Sequence, residues 1–224
     1  MRRSPTLAIA TVVAVAGLIA WRVFGPGASR PSQSFTTGVG ERRTVDLADG
    51  THVTLGPRTE LRASAKFNRA NRLVELVGEA FFDVHHDTSH AFQVRAFGVV
   101  TEDLGTSFNV RALADSVVRV TVIDGSASVR LERSTSKGAT LNPGDFVALD
   151  TKSLQAHISR QIPTGPVMSW RTGPLEYLDT DAADIGRDLE RWFGLVVRFD
   201  PVTIGQRKMS AKIPVDSAGK ALAE

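Results

Sequence analysis

No cysteine occurs anywhere in the 224 residues. That absence removes disulfide scaffolds, thiolate zinc sites, iron–sulfur clusters and cysteine nucleophiles together. A surplus of one charge is also lacking once the leader is set aside. Lys and Arg total 27 against 24 Asp and Glu, but Arg2, Arg3 and Arg22 lie in a leader of 24 residues that holds no acid, so residues 25–224 carry 24 of each sign. The sequence pI near 9.6 therefore belongs to the leader. A nucleic-acid partner, which needs an excess of cations on one surface, is not expected. No helix-length segment intervenes between Arg43 and Leu149, which excludes a parallel α/β architecture there. Aromatic residues are few, at 7%, yet 42% hydrophobic and 23% charged residues are ordinary for a globular chain with one or two cores.

One long apolar run is present. Leu7 to Trp21 holds no charge and is flanked by Arg2 and Arg3 before it and Arg22 after it. At 1.5 Å per residue the run reaches about 22 Å, and about 27 Å when counted through Phe24, near the thickness of a hydrocarbon core. A cleaved signal peptide is the competing reading. Length favours a retained anchor, as does Pro26 among the candidate cleavage positions. In both readings the body is exported, with Met1–Thr6 on the cytoplasmic side by the positive-inside rule.

The organisation expected downstream of the membrane-directed residues 7–24 is a Gly/Pro/Ser/Thr-rich linker over 25–40, a β-rich domain over 41–160 and a small α/β unit over 161–224. Val45 and Leu47, a turn at Asp49-Gly50, then Val53 and Leu55 read as a hairpin. Short runs of strand type follow at 73–77, 80–85, 92–95, 99–104, 108–112, 117–123, 127–131 and 146–149, separated by turn residues such as Gly78, Gly98, Gly105 and Asp124-Gly125. The class is mainly β, a sandwich- or solenoid-like domain. After the joint Ile162-Pro163-Thr164-Gly165-Pro166 the pattern becomes strand, helix, strand, a βαβ-type unit. Leu175 and Tyr177 fit a strand; Asp181 caps a helix to Phe193 with Ile185, Leu189 and Trp192 on one face; Gly194 ends it. Leu195–Phe199 is read as the next strand, Lys208–Ile213 as a weaker one, and Asp216 as the cap of a further helix. The strand that would complete the unit is not present in the sequence.

No catalytic constellation emerges, and no enzyme activity or cofactor is expected. Gly78 and Gly105 sit at strand breaks where positive φ or a bulge is required, with Glu79 and Thr106 placed to satisfy backbone groups there. No second carboxylate pairs with Glu79 at a spacing that suggests acid/base work. His85, His86 and His90 invite a metal reading, but they fall in what reads as a polar hairpin turn. Asn142-Pro143-Gly144-Asp145, without a ligand set, is a turn. The cations Arg58, Arg62, Lys66, Arg69 and Arg72 face the acids Asp179, Asp181, Asp184, Asp188 and Glu190 in composition only, and the default is a solvated surface. Arg191 and Trp192 are the candidate partner-binding residues, although Trp192 would equally complete the apolar helix face as core.

Taken in order, several segments carry a family resemblance: Leu47-Ala48-Asp49-Gly50-Thr51; Val77-Gly78-Glu79-Ala80-Phe81-Phe82-Asp83-Val84; Phe92-Gln93-Val94; Leu104-Gly105-Thr106-Ser107-Phe108-Asn109-Val110. Val120 to Gly125, Leu141 to Gly144, and Trp170-Arg171-Thr172-Gly173 leading to Arg191 continue the series. The chain resembles the FecR family of membrane-anchored regulators of iron-siderophore uptake over about Arg43 to Phe199. Departures are local: His90-Ala91 stand where the family often shows Arg-Pro, and Ala182 where it often shows Pro. The resemblance implies a single-pass inner-membrane protein with its bulk in the periplasm, whose partners are the signalling domain of an outer-membrane TonB-dependent transporter and a sigma factor. It makes Asp49, Gly50, Gly78, Glu79, Gly105, Thr106 and Trp170 structural motif residues. Only Met1 to Thr6 precede the apolar run, too few for a nucleated helix, so sigma-factor contact is expected only with a cytoplasmic extension. An exported adhesion or polysaccharide-binding module without regulatory output is the alternative.

Overall fold

The computed structural model describes residues 33–215, except positions 69, 104, 114, 115 and 136. The run Leu7–Trp21 and the cap Asp216 lie outside the described residues; among those described, no helix is long and apolar enough to cross a membrane. Thirteen strands form one continuous sheet: β1 (Gln33–Thr36), β2 (Arg43–Asp46), β3 (His52–Leu55), β4 (Glu60–Ala63), β5 (Arg72–Asp83), β6 (Phe92–Ala96), β7 (Val99–Asp103), β8 (Ser107–Ala112), β9 (Val117–Asp124), β10 (Ala127–Leu131), β11 (Ala139–Leu141), β12 (Phe146–Asp150) and β13 (Ala156–Ser159). The C-terminal unit adds helix α1 (Thr164–Met168), a 3₁₀ turn at Ser169–Arg171, β14 (Leu175–Asp181), helix α2 (Ala182–Phe193), a second 3₁₀ turn at Val202–Gln206 and β15 (Lys208–Ile213).

The sheet curls because β5 belongs to both of its halves. Arg72 to Val77 pair with β4 and β6, whereas Gly78 to Asp83 pair with β8, and Ala80 to Asp83 with β3. Gly78 is the hinge of that change. It has φ +114°, and a Cβ there would fall 2.7 Å from Thr59 Cα. Thr59 fastens the bend: Glu79 N–H donates to Thr59 Oγ1 at 3.0 Å, and Thr59 N–H donates to Thr37 Oγ1 at 2.9 Å. Thr37 N–H in turn donates to the Thr59 carbonyl at 3.0 Å. Side chains of even number on β5 (Val74, Leu76, Ala80, Phe82) point into the core between the halves, as strand alternation requires. Phe82 stacks on Phe108 at 5.2 Å and tilts onto Phe92 at 5.8 Å.

Several expectations change here. The runs 73–77 and 80–85 are one bent strand, because Gly78 redirects the chain without ending the ladder. Gln33–Thr36, inside the segment read as linker, is β1, paired with β4. The segment with His85, His86 and His90 is not a hairpin turn but a crossover, since β6 runs parallel to the first half of β5. In the C-terminal unit β14 and β15 pair antiparallel, so no βαβ unit forms. Among the described residues Leu195–Phe199 has no ladder partner; its alternation is real, but Val197 and Phe199 pack on Gly186 of α2.

The hinge generates a prediction. Gly78→Ala should cost about 3 kcal/mol or more, because backbone strain adds to a clash with Thr59 main chain. Gly98→Ala, at φ +79° with nothing within 4 Å, should cost only about 1 kcal/mol. Urea unfolding followed by far-UV circular dichroism compares them, and equal costs would remove the Thr59 contact as the reason for glycine.

Candidate functional site

Past the hinge of β5, several outward side chains of β5, β8 and β9 are covered. Glu79, Phe81, Asn109, Arg111, Arg119, Thr121 and Ile123 alternate with core residues and face the C-terminal unit. Apolar contact comes from a second cluster of Phe81, Trp170, Leu175 and Trp192, with Met168, Tyr177 and Phe193 at its margin. Beside it lies a charged network whose members come from both units.

Helix α2 presents three charges at spacings of four and three, one face of a helix. Asp184 meets Arg119 at 3.3 Å, Asp188 meets Arg111 at 2.7 Å, and Arg191 meets Glu79 at 3.0 Å. Arg191 also donates to the Pro57 carbonyl through Nε and Nη2, at 3.2 and 3.0 Å. Tyr177 hydroxyl donates to Asp188 Oδ2 at 3.2 Å and Asn109 Nδ2 to Glu79 Oε1 at 3.2 Å. At the exposed rim Arg58 reaches Glu190 at 3.2 Å. Glu79, Asp188 and Arg191 are each less than a tenth exposed.

Electrostatics follows from this balance of two anions and two cations at the centre. Burial alone would raise the Glu79 carboxyl pKa, but the guanidiniums of Arg111 and Arg191 outweigh it and hold the group below its ordinary value. Asp184 behaves likewise: burial opposes ionisation and Arg119 and Arg187 overcome it. Burial and the neighbouring Asp188 push the Tyr177 phenol up, so it stays a neutral donor. A cleft of about 780 Å³ opens beside the network, between the outer sheet face (Thr121, Phe146, Ala148) and the C-terminal unit (Tyr177, Thr180, Asp184).

The residues singled out in the sequence fall into two places. Gly78, Glu79, Trp170, Arg191 and Trp192 converge on this seam. Trp192, 4% exposed, is core, and Arg191 is an internal ion-pair partner. Asp49, Gly50, Gly105 and Thr106 instead hold loops of the β domain. Asp49 takes the buried Arg72 Nε at 2.8 Å, and Arg72 also donates to the carbonyls of His85 and His90. Gly50 has φ +88° against the His85 ring, and Gly105 has φ +147° where a Cβ would lie 2.9 Å from His86 Cα. Thr106 bonds Asp103 and the Ser126 carbonyl. Among the described residues no group of three or more His, Asp or Glu is arranged to hold a metal ion. Of the cationic stretch, Arg58 reaches Glu190 in the acidic group, Arg62 pairs with nearby Glu60, and Arg72 is buried; Arg69 lies outside the described residues. In the sequence Arg111 and Arg119 go unmarked, Asp184 and Asp188 stand only as members of an acidic group, and Tyr177 only as a strand residue. Their signal was present as charges at the outward positions of β8 and β9 and as the four-and-three spacing on α2.

Comparison with known proteins adds the family. Residues 33–128 match the model of the family described as FecR protein. This region is a FecR domain. Two solved structures of an anti-sigma factor, provisionally so assigned, from Parabacteroides distasonis ATCC 8503 are similar over most of the chain. One, at 1.65 Å resolution, is 28% identical, covers 85% of this chain and 89% of its own, and has a TM-score of 0.75. The other, at 2.50 Å, is 27% identical, covers 86% and 88%, and also has a TM-score of 0.75. No curated protein matches the chain. The FecR domain and these neighbours support a regulatory role.

Breaking one buried partner should be costly. Arg191→Met leaves Glu79 short of a cation and is expected to destabilise the protein by about 3 kcal/mol, with Glu79→Gln in the same chain recovering part of the loss. Urea unfolding read by tryptophan fluorescence tests this; full additivity of the two changes would mean the pair is not coupled. The pH dependence has a fixed sign. Because the folded-state pKa values of Glu79 and Asp184 lie below their ordinary 4.5 and 3.8, their stabilisation is complete above those values and lost as pH falls through the lower, folded ones. Stability should therefore drop on acidification below about pH 4, and Glu79→Gln should flatten that slope; an unchanged slope would remove Glu79 as a contributor.

Proposed function

We propose that this chain is a FecR-type transmembrane signal-transduction protein that binds partners and does not catalyse. In this reading Leu7–Trp21 anchors it in the inner membrane, and the FecR domain and C-terminal unit lie in the periplasm. The C-terminal unit receives the signalling domain of an outer-membrane TonB-dependent transporter, and the signal is passed to an extracytoplasmic-function sigma factor through whatever cytoplasmic segment the natural protein carries. The observation that carries the reading is the likeness to an anti-sigma factor that extends past the FecR domain across the C-terminal unit. The seam between the two units supports it, since α2, Trp170 and Arg171 of the C-terminal unit all seat on the FecR domain.

Isothermal titration of the protein against the signalling domain of a transporter encoded beside it should give saturable binding. Deletion of the gene should alter transcription from promoters of the adjacent sigma factor, read by RNA sequencing. Absence of both effects, together with binding to envelope polysaccharide, would replace this reading with that of an adhesion module.

A further inference from the structure

Along the seam the arginines Arg58, Arg111, Arg119 and Arg191 each face a carboxylate. Two others do not. Arg171, the last residue of the 3₁₀ turn after Trp170, has its guanidinium carbon 3.7 Å from the centroid of the Phe81 ring. Its Nε is buried without a hydrogen-bond partner among the described residues. Burial lowers its pKa, and the only opposing influence is Asp83, which lies beyond ion-pair distance. Arg42 sits at the same turn: its Nη1 donates to the Trp170 carbonyl at 3.1 Å and its guanidinium lies 5.5 Å from the Trp192 ring centroid. It lines a cavity of about 420 Å³ with Thr172, Gly173, Pro174 and Pro214, where the other cation, Lys212, is already paired with Glu176.

A guanidinium centred over an aromatic ring still offers the N–H groups that no other contact takes, and these can bind a carboxylate. Partial burial of Arg171 is unfavourable until an anion arrives, while Arg42 is exposed and open to one. We propose that Arg171 and Arg42 form the docking point for an acidic segment of a partner protein, each binding a carboxylate side chain. The inference rests on the reading that the C-terminal unit receives a protein partner, and it specifies the chemistry that the partner brings. Their contacts with the Phe81 and Trp192 rings place the two cations at the second core, so an acidic partner docks where the units meet.

The test uses the full chain at low salt with hexaglutamate as probe and hexalysine as control, by isothermal titration. Hexaglutamate should bind saturably and hexalysine should not. Arg171→Gln and Arg42→Gln should each weaken binding by about tenfold, and Arg171→Lys, which keeps the charge but loses the fork, by less. If Arg171→Gln does not fold, Arg171→Lys and Arg42→Gln decide the question. Unchanged affinity in the variants, or no saturable binding by the wild type, overturns the proposal. The transporter signalling domain is titrated alongside. Equal binding of that domain to wild type and Arg171→Gln sinks this proposal and leaves the transporter reading standing. Hexaglutamate binding through Arg171 without any binding of the domain does the reverse.

Discussion

The carboxylate of Glu79 is the point on which the two units meet. It stands one residue past the hinge of β5, fixed there by the Thr59 hydroxyl, and faces away from the core as strand alternation dictates. Arg111 from the neighbouring strand and Arg191 from α2 share it. A guanidinium from each unit on one buried carboxylate ties the geometry of the C-terminal helix to that of the sheet. Asp188 closes the arrangement by taking Arg111 and Arg191 in turn. No member can be moved without leaving a charge uncompensated.

Apolar burial alone would join the units with less selectivity. The second core of Phe81, Trp170, Leu175 and Trp192 supplies nondirectional attraction, and a helix resting on it could rotate or slide at small cost. Buried ions cost several kcal/mol each to desolvate and repay it only at good geometry. Asp184, Asp188 and Arg191 therefore act as a register: a shift of one helical turn, about 5.4 Å, would bring Asp184 to Arg111 and carry Asp188 beyond it. The cleft beside the network inherits this order, because Asp184 and Tyr177 form one of its walls.

The β domain was largely legible because its strands advertise burial on one face. Val118, Val120 and Val122 alternate with Arg119, Thr121 and Ile123, and the period survives in the structure unchanged. The helix Ala182–Phe193 was equally clear from its apolar face and from Gly194, which adopts φ +74°, although Asp181 at its N-terminus makes no capping hydrogen bond and pairs with Lys208 instead. What could not be read is pairing across distance. Glu79 and Arg191 are separated by 112 positions and Arg111 and Asp188 by 77, and each alone looks like a solvated charge. Gly78 misled in the other direction, since a glycine with positive φ marks a break or a bend with the same residue. Leu195–Phe199 shows the same limit: alternation reports one buried face, not whether a strand or a helix covers it.

Thr59 has a consequence in mechanical terms. Thr37, directly after β1, the first described strand, is tied to Thr59 through both its main-chain N–H and its hydroxyl. Thr59 is in turn tied to Glu79. A pull transmitted along β1 is thus borne by its ladder with β4 and then at Thr59, and the next link in the load path is the residue whose carboxylate holds α2. Tension on β1 and the seating of the C-terminal helix therefore meet at Thr59, with the Gly40 N–H bond to the Arg191 carbonyl as a second link.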